Sequence, residues 1–113
     1  MERTKNTCTS AVAEYLGTLD ATPELRTFGD MLESVKSEYE VEQRHRFVRN
    51  MTVDNSRDRL RRLTEEDGLN PKGYMIFVGG HVIFLNGDGE TVVDTSSISF
   101  DNRTITECFV VYQ

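Results

Sequence analysis

The sequence predicts an α+β domain in which N-terminal helices pack on a C-terminal antiparallel β-sheet. Three observations carry this. Apolar residues recur at helical spacing over the first third of the chain. Two near-continuous apolar runs, Tyr74–Val78 and His81–Leu85, then lie on either side of Gly79-Gly80. Finally, Asn86-Gly87-Asp88-Gly89 supplies the residues of a hairpin turn before another β-prone run. With 113 residues, the chain has room for one domain, 1–113, with one real core.

The first helix is expected from Thr7 to about Leu19, with Asn6 or Thr7 as cap and Val12, Tyr15, Leu16 and Leu19 on one stripe. Thr22-Pro23-Glu24 reads as cap, first-turn proline and an acid at the positive end of the dipole, opening a second helix. Leu25, Phe28, Leu32, Val35 and Tyr39 form its apolar stripe. Residues 39–53 fit either an exposed strand or a continued helix, and the alternation of Tyr39, Val41 and Gln43 with glutamates favours the strand. Asp54-Asn55-Ser56 then caps a third helix, Arg57 to about Asp67, buried through Leu60 and Leu63. Gly68 ends it, and Asn70-Pro71-Lys72-Gly73 makes a turn.

From Tyr74 the pattern is a β meander: Tyr74–Val78, His81–Leu85, Thr91–Asp94 and Ile105–Tyr112. Because the first two strands are apolar at almost every position, the sheet centre is expected to be covered on both faces.

The net charge of −6 hides a segregation. Seven arginines (44, 46, 49, 57, 59, 61 and 62) face only Asp54 and Asp58 between residues 44 and 62, so that window carries +5 and the rest −11. An acidic body disfavours general nucleic-acid binding, whereas the Arg44–Arg62 strip could meet an acidic partner or form a solvated face. No apolar run approaches a membrane span, so no membrane contact is expected. The first residues lack the apolar stretch of a secretory signal, and the two cysteines stand 100 positions apart. A cytoplasmic protein with free thiols is the expectation.

Three residues stand out as candidate chemistry. Cys8 sits at the mouth of the first helix, where the dipole and free N–H groups favour a thiolate and can receive an oxyanion. His81 is expected to open the central strand, on which it can take and return a proton. Asp94 ends the next strand, where a tight register brings it level with His81 and lets it orient the imidazole. Gly79 and Gly80 clear space for a substrate backbone. Taken singly, each residue has a plainer reading: a packed core thiol, a hydrogen-bonded strand histidine and a strand-ending turn. Cys108, beside Phe109, is expected to be buried and inert, and His45, between two arginines, to face solvent. No Cys or His spacing fits a metal site, and no cofactor is called for.

The order of Cys8, a helical middle, Gly80-His81-Val82-Ile83-Phe84-Leu85, a Gly-Asp-Gly turn and Val92-Val93-Asp94-Thr95 resembles the papain-like cysteine hydrolases. It is closest to compact bacterial members: papain-fold toxins that deamidate glutamine, and leader peptidases of bacteriocin transporters. The resemblance covers the order of elements along the whole chain and, as a motif, residues 80–95. It implies a papain-like fold, Cys8 as nucleophile, His81 as general base and acid, Asp94 as the orienting third member, and a protein or peptide substrate. One departure concerns the oxyanion donor. The family places a glutamine six residues before the nucleophile, where this chain has Glu2, leaving Asn6 or the Cys8 backbone N–H to serve. The alternative is a non-catalytic binding module on such a scaffold, docking through its segregated charge.

Overall fold

A computed structural model describes residues 8–17, 28–66, 71–95 and 99–112. Among these, three α-helices, α1 (Cys8–Leu16), α2 (Phe28–Lys36) and α3 (Val53–Glu66), accompany a five-stranded antiparallel sheet. The strands are β1 (Glu40–Gln43), β2 (Pro71–Val78), β3 (His81–Leu85), β4 (Thr91–Val93) and β5 (Glu107–Tyr112), in the order β1-β5-β2-β3-β4. The α+β class is therefore as the sequence predicts. The layout differs in two ways. The sheet takes its first strand from the middle of the chain, and only β2-β3-β4 form a meander. β5 returns across the sheet to pair with both β2 and β1.

The apolar runs of β2 and β3 follow from their position. Tyr74, Ile76 and Val78, with Ile83, Leu85, Cys108 and Val110, face a core closed by Val53 and Leu60 of α3. Met75 and Phe77, with Val82, Phe84 and Val111, face a second core closed by Val12 and Leu16 of α1 and Met31 and Val35 of α2. Alternate residues of each strand thus bury on opposite faces, and neither face is free for polar side chains. Tyr15, expected on the buried stripe, is half exposed and lies at the margin with its ring 5.4 Å from that of Phe84. The Tyr39 hydroxyl donates to the Leu16 carbonyl and ties the end of α1 to the start of β1.

Several boundaries move, among them that of β5, which begins at Glu107 rather than Ile105. α3 starts at Val53, because Thr52 rather than the Asp54–Ser56 triplet provides the cap: its Oγ1 accepts from the Asn55 N–H at 3.2 Å, and its carbonyl accepts from Ser56. The Pro71–Gly73 segment belongs to β2 rather than to a turn, with a bulge between Pro71 and Gly73 that accommodates the missing proline N–H. The first helix ends at Leu16 instead of Leu19, and residues 18–27, where the second helix was expected to open, lie outside the described residues. After β1 the chain makes a 3-10 turn, His45–Val48, whose Val48 is buried in the α3-side core. No helix among the described residues is long and apolar enough to cross a membrane.

Candidate functional site

The β2–β3 connection is a two-residue turn, since Val78 pairs with His81. Gly79 has φ +61° and Gly80 does not enter the left-handed region, the pattern of a turn that demands glycine only at its first central position. His81 follows at once as the first residue of β3, the strand next to the β4 edge rather than the central one.

Asp94 reaches His81 through an irregularity that residue counting does not foresee. Leu85 pairs with Thr91, but Phe84 pairs with Val93, so Val92 is an extra residue in β4. An unbroken ladder would set Asp94 opposite Val82, on the α1/α2 face. The bulge shifts the phase by one residue and sends Asp94 to the side of Ile83 and His81. The outcome is a contact of 2.9 Å between His81 Nε2 and Asp94 Oδ1, with side chains 14% and 24% exposed. An ionised carboxylate only accepts, so Nε2 carries the proton and Nδ1 of the neutral ring keeps its lone pair. The pair can take a proton at Nδ1 and hold the resulting imidazolium against a carboxylate.

A third partner is Phe100. Its ring is stacked on the imidazole at 4.6 Å with an interplanar angle of 17°, and the Arg103 guanidinium lies 5.5 Å from the Phe100 centroid. Phe100 also packs against the α3-side core. Sequence reasoning missed it, although a lone aromatic within Ser99-Phe100-Asp101-Asn102 was a visible signal. Arg57 was likewise hidden in the basic strip. It pairs with Asp101 at 2.8 Å and donates to the Gly89 carbonyl at 3.0 Å, joining α3 to the β3–β4 hairpin and to the Phe100 loop. Gly89 allows this approach, since a Cβ there would lie 2.6 Å from the Arg57 carbonyl oxygen.

The remaining candidates divide. Gly79 and Gly80 are exposed beside His81, and a Cβ on either would meet nothing within 4 Å. Cys8 opens α1, with its side chain outside the described part, and Glu2 and Asn6 lie outside the described residues. The register places His81 with Ile83 and Leu85 on the α3 face, whereas α1 covers the other face. Cys108 is fully buried, and burial with a lesser push from Glu107 raises its thiol to about 12, as befits an inert core thiol. The His45 side chain is outside the described part. No cluster of three or more potential metal ligands occurs among the described residues.

The basic strip resolves into parts with separate duties. Arg44 pairs with Glu42 and donates to the Tyr112 hydroxyl, which raises its already high pKa further. Arg61 pairs with Asp58 at 3.1 Å, and Arg46, Arg49, Arg59 and Arg62 are exposed.

The architecture and this histidine–carboxylate pair define the protein only as far as an α+β domain with a potential proton-transfer site. Comparison with known proteins goes no further, as no family model, no curated protein and no solved structure matches the chain.

Proposed function

We propose that the chain is a small thiol hydrolase of papain-like type acting on an amide, either a glutamine side chain or a peptide bond. The observation that carries this is the His81–Asp94 pair, with Nε2 engaged and Nδ1 left to accept a proton, next to a glycine turn open to solvent. Cys8 gives its proton to Nδ1 and attacks the carbonyl carbon. The tetrahedral oxyanion is received by N–H groups at the start of α1. The imidazolium returns its proton to the leaving nitrogen, so ammonia or an amine departs. Water, deprotonated by His81, then cleaves the thioester and restores the thiol.

Distances along the elements are consistent with this. Tyr15 packs on Phe84, and the Leu16 carbonyl bonds Tyr39 at the end of the sheet where β3 finishes. From Tyr15 back to Cys8 a helix covers about 10 Å, and from Phe84 back to His81 a strand covers about 10 Å. A helix laid along the strand therefore begins near the level of the imidazole. Since α1 and the His81 side chain belong to opposite faces, thiol and ring would meet around the end of the sheet, beside Gly79-Gly80.

That same separation of faces favours a second reading, a binding module without turnover whose exposed arginines 46, 49, 59 and 62 dock an acidic partner. Alkylation by iodoacetamide decides between them. A hydrolase labels at Cys8 rapidly between pH 6 and 7, roughly tenfold or more slower in His81→Ala, with Cys108 spared. Sluggish labelling of Cys8 that ignores His81→Ala leaves the binding module.

A further inference from the structure

We infer that the Arg57–Asp101 ion pair is a positioning device for the imidazole, acting through Phe100. The functional meaning of this rests on the hydrolase reading, but the geometry stands without it. His81 emerges at the first position of its strand, where Val78 is its ladder partner among the described residues. Asp94 fixes one ring nitrogen, yet a single hydrogen bond leaves the ring free to rock about the axis of that bond. The parallel face of Phe100 removes this freedom.

Phe100 itself belongs to a loop, and loops hold a ring only if something holds them. This loop is tied at Asp101 and Arg103 to the start of α3. The Asp54 N–H donates to the Asp101 carbonyl and the Val53 N–H to the Arg103 carbonyl, both at 3.0 Å. The Arg103 N–H donates to the Phe100 carbonyl at 2.9 Å, closing the turn. These backbone bonds fix where the loop runs. The side-chain clamp sets its tilt, because Arg57 holds Asp101, the residue next to Phe100, while gripping the hairpin that leads into β4 through Gly89. Arg57 thereby spans the two segments that supply the two partners of His81: the loop bearing Phe100 and the hairpin leading to Asp94. Its place in an apparently solvated basic strip hides this task.

The test reads the ring directly. In a Cys8→Ser background, which removes any thiol chemistry, the His81 Nε2–H proton is followed by NMR and its exchange with water measured. A resolved, slowly exchanging resonance is expected. Phe100→Leu should speed exchange by about tenfold, Phe100→Tyr should restore it, and Asp101→Asn should speed it by about threefold at unchanged global stability. Lack of a protected resonance, exchange unchanged in either Phe100→Leu or Asp101→Asn, or failure of Phe100→Tyr to restore it would overturn the inference. Should Phe100→Leu not fold, Asp101→Asn alone decides. Failure of the hydrolase reading appears separately, as sluggish Cys8 alkylation with the ring proton still protected.

Discussion

Two adjacent glycines should respond oppositely to the same substitution. Gly79 sits at φ +61°, so alanine there places a Cβ in the left-handed region at a cost of about 1–2 kcal/mol, although no atom lies within 4 Å of it. Gly80 has neither constraint. Its φ is outside that region and its Cβ would project into open space, so Gly80→Ala should change stability by less than about 0.5 kcal/mol, or raise it slightly by restricting the unfolded chain. Urea denaturation of both variants measures this. Because the fold asks nothing of residue 80, Gly80→Ala also isolates the space next to His81. If a substrate backbone passes there, reaction of Cys8 with a bulky peptidyl chloromethyl ketone should slow by about tenfold while reaction with iodoacetamide does not. A stability loss at Gly80 equal to that at Gly79 would refute the assignment of the turn. Equal rates with the bulky reagent would refute the substrate path.

Three further outcomes follow from the packing. Thr52→Ala should cost about 1 kcal/mol through the lost cap of α3, with Asn55→Ala near neutral, as judged by denaturant midpoints. Leu60→Ala, at a fully buried site where α3 meets the sheet, should cost about 2–5 kcal/mol in the same assay. Cys108 should resist iodoacetamide until the protein unfolds. With its folded-state thiol raised to about 12 against an ordinary 9.0, the native state retains a proton that the unfolded chain releases. Stability should therefore be intact below about pH 9 and fall as pH climbs from there toward 12, less steeply in Cys108→Ala.

What the sequence reveals of this molecule depends on how local the cause is. The apolar β2 and β3 runs announce a doubly covered sheet because each residue of a strand reports the face it meets. The place of β5 beside β1 and β2 was invisible, since strand order depends on pairings between residues some 70 positions apart, such as Glu40 with Tyr112. The His81–Asp94 pair was legible, since a tight turn over 86–89 sets Asp94 level with His81. The turn instead closes between Asn86 and Glu90, a one-residue shift that by itself would send Asp94 to the other face. The bulge at Val92 rescues the contact, and nothing about a valine between Thr91 and Val93 signals an extra residue. Arg57 was misread for a related reason: a cation seen among six others looks like solvated surface until its partners, Asp101 and Gly89, are brought to it.

Whether the His81–Asp94 bond serves chemistry or merely clasps β3 to the chain after β4 can be decided by one substitution that separates the two duties. Asp94→Asn keeps the shape of the side chain and an oxygen that accepts from Nε2. A clasp needs only that hydrogen bond. Its weakening from a charged to a neutral acceptor, between groups 14% and 24% exposed, should cost about 1 kcal/mol or less. Catalysis needs the charge, because the imidazolium formed when a thiol surrenders its proton is stabilised by a carboxylate and not by an amide. The expected signature is a denaturation curve close to that of the parent, together with Cys8 alkylation near neutral pH slowed by about tenfold or more. The same small loss with alkylation untouched would mark the pair as a structural clasp. The exposed arginines would then be the better place to look for function.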